Sequence, residues 1–275
     1  MKAISIFSIF LSLSLGHAGQ SGSPRLYSLQ KSPELTRADL YSIPTVPNPR
    51  AALVLCPGMN GNGRGLLTPA WVDFARQHRL GLVALSFASS DEDLGNARGY
   101  YHPDRGAGKV LLDGIRGIYG HDLPVLLYGM SGGAHFTAGF MEWKPDRVIS
   151  WCAYTAGWWN QPQPSKFNPP GIVACGDEDF RYGASLGYFL QGRAIGKPWT
   201  WVSLEKTGHQ PSAILDDFVR NYFAAILERK ATSPIWRDVD LKSPINDANV
   251  TSRPTLACWL PNPDVALSWV KVHQP

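Results

Sequence analysis

The sequence predicts an α/β fold, with a mostly parallel central sheet, helices on both faces and no large lid. Three observations lead there. Six short apolar runs, at residues 51–56, 80–87, 124–128, 147–152, 171–175 and 199–204, alternate with segments of helical spacing. Short apolar runs alternating with helices are the pattern of a parallel sheet covered on both faces. The chain has 275 residues, 44% hydrophobic and 17% charged. That is enough apolar mass for one large core and too little charge for a disordered or coiled-coil protein.

Taken in order, the first residues fall outside this rhythm. A short positive start, Met1-Lys2, precedes an apolar and Ser stretch, and Gly16-His17-Ala18 follows. This reads as a secretory signal over residues 1–18, so the mature protein is expected to be secreted or periplasmic. An apolar stretch of about 13 residues is too short to span a bilayer. No later stretch is long and apolar enough either, so no membrane partner is expected.

Residues 19–230 are expected to form the main domain. Its first part carries short β-like pieces broken by Pro33, Pro44, Pro47 and Pro49, which suits edge strands. Between the apolar runs, helices are expected over 68–78, 106–119, 131–143, 182–193 and 212–229. The last is clearly amphipathic, through Ile214, Leu215, Phe218, Tyr222, Phe223 and Ile226. Residues 231–275 form a Pro-rich C-terminal extension. It carries Trp236, Trp259, Leu260, Trp269 and Val270, which is too apolar for disorder, and it is expected to pack on the same domain.

Two function classes drop out early. Lys and Arg number 26 against 22 Asp and Glu, and the bases are scattered, so no run tracks a nucleic-acid backbone. Cys56, Cys152 and Cys175 end apolar runs, and no spacing among them and Cys258 resembles a zinc site. Their pairing stays open at this point, because connectivity cannot be deduced from spacing.

In a parallel sheet the chemistry sits on loops after the strands' carboxyl ends. Gly129-Met130-Ser131-Gly132-Gly133 follows the third run and opens a helix. This is G-x-S-x-G in a strand–turn–helix setting, which exposes the Ser131 hydroxyl and points the Gly132 amide at a developing oxyanion. A serine hydroxyl needs a base. His209 follows the sixth run and precedes the last long helix. His135, one turn past Ser131, reads instead as a packed helix histidine. The base needs a carboxylate to fix its tautomer. The fifth run ends in Gly176-Asp177-Glu178-Asp179, where Asp179 is the first choice and Asp177 the second. A second oxyanion donor is expected from the loop Cys56-Pro57-Gly58-Met59-Asn60-Gly61, at the amide of Met59.

These residues resemble the α/β-hydrolase superfamily over roughly residues 51–229. Within it they look most like secreted serine esterases of the dienelactone-hydrolase, feruloyl-esterase and polyester-depolymerase type. The resemblance rests on Pro57-Gly58-Met59, the Ser131 pentapeptide, Gly176-Asp177-Glu178-Asp179 and Gly208-His209. It implies Ser131, Asp179 and His209 as triad, Met59 and Gly132 as oxyanion donors, no cofactor, and ester hydrolysis through an acyl-enzyme. Two features depart from the pattern: dienelactone hydrolases carry Cys where this chain has Ser131, and Pro57-Gly58 replaces the common His-Gly.

Residues 153–170 are too few for a helical lid. Trp158, Trp159 and Phe180 are candidate contacts to a small-molecule or polymeric ester. An amide-cleaving peptidase of the same fold and a non-catalytic binding module on a hydrolase scaffold are the rival readings.

Overall fold

The computed structural model describes residues 22–228 and 234–273; the expected signal segment lies outside the described residues. The elements run β1 (Arg25–Ser28), β2 (Arg37–Ile43), β3 (Ala51–Cys56), α1 (Pro69–Gln77), β4 (Leu80–Ala88), α2 (Asp91–Gly95), α3 (Ala107–Tyr119), β5 (Val125–Met130) and α4 (Gly132–Trp143). They continue through β6 (Val148–Tyr154), β7 (Gly171–Gly176), α5 (Tyr182–Ala194), β8 (Trp199–Leu204) and α6 (Ala213–Leu227). The extension adds β9 (Ile235–Asp238), α7 (Asp247–Ser252), β10 (Ala257–Leu260) and α8 (Pro263–Val272).

Eight strands form one sheet in the order β1-β2-β4-β3-β5-β6-β7-β8. β3 through β8 are mutually parallel, and β1 and β2 add on antiparallel through β4. The six apolar runs are the six parallel strands. β3, β4 and β7 are buried along their whole length, which is why they show no period of two. Pro33, Pro44, Pro47 and Pro49 all fall between strands, where a missing N–H leaves no gap in a ladder.

Adjacent residues of β5 show that the sheet is covered on both sides. Tyr128 faces α1 and α6, with its ring 5.5 Å from Trp71 and its hydroxyl 2.6 Å from Asp216. The next residue, Gly129, faces α4, where a Cβ would meet the Gly133 carbonyl. Successive strand residues point to opposite faces, so α1 and α6 lie across the sheet from α4. The helix α3 joins α4, since a Cβ on Gly108 would strike the Trp143 ring.

The chain passes from β3 outward to β4, then returns to place β5 on the other side of β3. The loops after β3 and β5 therefore diverge at a topological switch point, where such sheets open a crevice. Residues 155–170, between β6 and β7, contain no helix.

The extension lies along β8, the strand at the edge of the sheet. Trp201 donates its N–H to Cys258 Sγ at 3.2 Å and accepts from Trp269 Nε1 at 2.6 Å. The Ser203 N–H donates to His273 Nε2 at 3.1 Å, and the Thr200 hydroxyl donates to the Trp259 carbonyl. Side chains rather than another strand satisfy the backbone groups an edge strand leaves open. Trp201, Trp269 and Cys258 are fully buried there. All four cysteines are free and buried, so the question of pairing closes without a disulfide.

Candidate active site

Ser131 lies between β5 and α4 at φ 55°, ψ −118°, a left-handed conformation that costs energy for a residue with a Cβ. Its N–H donates to the Tyr154 carbonyl of β6 at 2.9 Å, which anchors the turn. The glycines of the motif are needed for close approach. A Cβ on Gly133 would stand 2.1 Å from the Cys56 carbonyl oxygen, and one on Gly132 would stand 2.8 Å from the Met59 amide nitrogen. The helix start thus packs directly on the end of β3, with the Met59 and Gly132 backbones side by side next to the serine.

His209 sits on the loop between β8 and α6. Its Nε2 is 3.0 Å from Ser131 Oγ and its Nδ1 is 2.8 Å from Asp179 Oδ2. The structure therefore brings Ser131, His209 and Asp179 into one hydrogen-bonded line. It also separates the two candidate acids. Asp179 is buried, at 4% exposure. Asp177 is exposed and accepts the Thr207 N–H at 3.2 Å, where it braces the loop that carries His209.

The Asp179 carboxylate is held on both oxygens. Oδ1 accepts from the Arg181 N–H at 3.1 Å and from its guanidinium at 3.0 Å. Oδ2 accepts from the Thr155 hydroxyl and from His209. Burial works to raise the Asp179 pKa. The hydrogen bonds from Thr155, the Arg181 backbone, His209 and the Arg181 side chain outweigh it and bring the value to about 2. The acid is thus an anion at any ordinary pH. Arg181 Nη1 also lies 3.2 Å from His209 Nδ1. When Nδ1 carries the hydrogen given to Asp179, this is an approach of two donors and adds no bond. The guanidinium stacks on Phe180 at 4.0 Å.

The loop after β3 is clamped from three sides. Arg37 on β2 donates to the carbonyls of Asn60 and Gly61, at 2.6 and 2.8 Å. The Asn60 side chain exchanges two hydrogen bonds with the Ser89 backbone, both 3.1 Å. The Asn60 N–H donates to the buried Tyr100 hydroxyl at 3.1 Å. The amide of Met59 is consequently held by its neighbours rather than by its own side chain, which is 60% exposed. Sequence reasoning found none of Arg37, Ser89, Tyr100, Thr155 and Arg181: the first four meet their partners across 23 to 40 residues of chain, and Arg181, two residues past Asp179, carries no motif that marks it.

The aromatic candidates part company. Phe180 is 85% exposed beside Asp179, and Trp158 is 38% exposed. Trp158 stacks on His135 at 4.4 Å and on His102 at 5.1 Å. Trp159 turns the other way. It stacks on Tyr188 of α5 at 4.4 Å, and its indole N–H is buried, so the expectation that it meets substrate is not supported by its placement. His135 is buried, accepts the Gly157 N–H at 3.1 Å, and has its pKa lowered by burial to about 3. It stays neutral and holds the loop that carries Trp158.

No group of three or more His, Cys, Asp or Glu side chains among the described residues is placed to hold a metal ion. No helix among them is long and apolar enough to cross a membrane.

No family model and no curated protein matches the chain. Solved structures do. A fluorophosphonate-binding serine hydrolase of Staphylococcus aureus matches with a TM-score of 0.52 at 15% identity, over 75% of this chain and 99% of its own. A ferulic acid esterase matches at 0.56 and 13%, over 76% and 98%. An acylaminoacyl peptidase of Pyrococcus horikoshii matches at 0.57 and 13%, over 77% of this chain and 42% of its own. At such identities the likeness speaks to architecture: this chain has the α/β-hydrolase fold.

Proposed function

We propose that the protein is an exported serine hydrolase that cleaves carboxylic esters through an acyl-enzyme intermediate. The observation that carries this reading is the continuous line from Ser131 Oγ through His209 to Asp179, at 3.0 and 2.8 Å. His209 takes the proton of Ser131 as the oxygen attacks the ester carbonyl. The amides of Met59 and Gly132 receive the oxyanion. The C–O bond to the alcohol then breaks, and His209 returns the proton to that alcohol. Water, deprotonated by His209, attacks the acyl-serine; the bond to Ser131 Oγ breaks, His209 returns the proton to that oxygen, and the acid leaves. Asp179 holds the imidazole tautomer and stays ionised throughout. The chemistry calls for no cofactor.

Three exposed apolar side chains frame the serine: Met59 beside Gly132, Trp158 on His135, and Phe180 beside Asp179. They favour an ester with an apolar or aryl acyl group, either small or presented on a polymer. Export rests on the character of residues 1–18. The esterase and peptidase among the similar structures share this architecture, so the leaving group is the point to test. Matched p-nitrophenyl esters and p-nitroanilides should show hydrolysis of the esters, with a burst of p-nitrophenol in the first turnover. Faster cleavage of the anilides would replace the ester reading with the amide one.

A further inference from the structure

Eight non-glycine residues among those described have φ in the left-handed region, and Thr155 is the one that is β-branched. For a β-branched side chain such a conformation is a true outlier, and outliers of this kind persist only where the surroundings force them. Thr155 follows β6 directly. Its N–H donates to the Ala174 carbonyl of β7 at 2.8 Å, and the residue is fully buried. The turned backbone brings its hydroxyl to the centre of the candidate site. The hydroxyl donates to Asp179 Oδ2, lies 3.2 Å from His209 Nδ1, and receives the Cys175 thiol at 3.7 Å.

We infer that Thr155 is a positioning residue, whose strained backbone exists to hold the Asp179 carboxylate in the plane that His209 requires. The inference rests on the reading of Ser131, His209 and Asp179 as the catalytic set. Arg181 grips Oδ1 alone, and His209, which binds Oδ2, is the ring to be positioned and cannot itself stop the carboxylate from swinging about its Cβ–Cγ bond. The Thr155 hydroxyl grips Oδ2 and stops that swing. Its oxygen also stands beside the Nδ1–H of His209. When the ring takes the Ser131 proton and becomes imidazolium, that N–H meets two acceptors, the carboxylate and the hydroxyl oxygen. A purely structural threonine would have no need to face the acid, the base and a strained backbone at once.

The test is a Thr155→Ser, Thr155→Ala and Thr155→Gly series in the full-length protein. It is read by p-nitrophenyl acetate kinetics, by fluorophosphonate labelling of Ser131, and by the downfield proton resonance of His209 Nδ1–H. Thr155→Ser keeps the hydroxyl and should stay near the wild-type kcat. Thr155→Ala removes one hydrogen bond to a charged group and should lower kcat about tenfold with KM unchanged. It should also slow labelling by a similar factor and shift the Nδ1–H resonance upfield. Thr155→Gly should lose the same activity yet melt no lower than Thr155→Ala, since glycine adopts this backbone without strain. An alanine variant with wild-type kcat, or a serine variant as impaired as alanine, would overturn the positioning role. A glycine variant that melts below alanine would overturn the strain. Wild-type protein that is not labelled at Ser131 would instead overturn the reading of the site itself, and this inference with it.

Discussion

His209 and His273 each have both ring nitrogens engaged. His209 stands between the Asp179 carboxylate and the Ser131 hydroxyl, half exposed among the loops at the carboxyl end of the sheet. His273 stands between the Trp269 carbonyl, 2.7 Å from Nδ1, and the Ser203 N–H, 3.1 Å from Nε2, buried under the C-terminal extension. The ring is the same, and both nitrogens are engaged in each. The difference is in what the partners can do. Ser131 has a proton to give and Asp179 has a charge to stabilise the cation that results. The partners of His273 are backbone groups that neither release a proton nor carry charge, and burial with a nearby Lys242 lowers its pKa to about 4. On the proposed reading His209 passes a proton, whereas His273 keeps one state. The partners, not the residue type, decide between proton transfer and architecture.

The contrast is broken most severely at the site. Ser131→Ala should reduce ester hydrolysis by about a million-fold while leaving the melting temperature unchanged, as kinetics and thermal unfolding on the same sample would show. Asp179→Asn should cost about ten-thousand-fold in kcat, because the amide stabilises the wrong tautomer. Asp177→Asn should leave kcat near wild type, since that side chain only braces the 207–209 loop. Equal losses in the two asparagine variants would reverse the assignment of the acid.

At the extension the effects should fall on stability. Trp269 is fully buried and its N–H satisfies the Trp201 carbonyl at the sheet edge. Trp269→Ala should therefore destabilise by about 3–5 kcal/mol in denaturant unfolding, with kcat retained in the fraction that stays folded. The smallest effect is the titration of His273. Its folded pKa lies below the ordinary 6.5, so the unfolded chain binds the proton more readily. Its contribution to stability is complete above pH 6.5 and is lost as pH falls toward about 4. Melting curves across that window should slope downward with acid, and His273→Gln should flatten part of the slope.

Legibility in the sequence follows the same division. Ser131 was readable because its turn chemistry is local: five consecutive residues must pack a helix start against a strand end. His209 was readable from its place after an apolar run and before an amphipathic helix. Asp179 and Asp177 share the loop after β7 and are told apart by burial, which appears when β7 and β8 are set side by side. The clamp of Arg37, Asn60, Ser89 and Tyr100 on the loop after β3 joins segments 23 to 40 residues apart. No spacing rule records such contacts. Thr155 gave no signal for a related reason, since its left-handed backbone is imposed by β7 and by the carboxylate, not by its own preference. The apolar tail was visible as composition, but its bonds to the β8 edge were not. Trp158 and Trp159 looked alike as neighbours, and only the turn of the loop sends one to the surface and the other onto Tyr188.

The central claim is that His209 activates Ser131, and covalent trapping addresses it most directly. Purified protein should be treated with a fluorophosphonate, digested and mapped by mass spectrometry. The account predicts one adduct, on Ser131, absent in His209→Ala and undiminished in Asp177→Asn. A folded protein that leaves Ser131 unmodified, or labels equally well without His209, would contradict it.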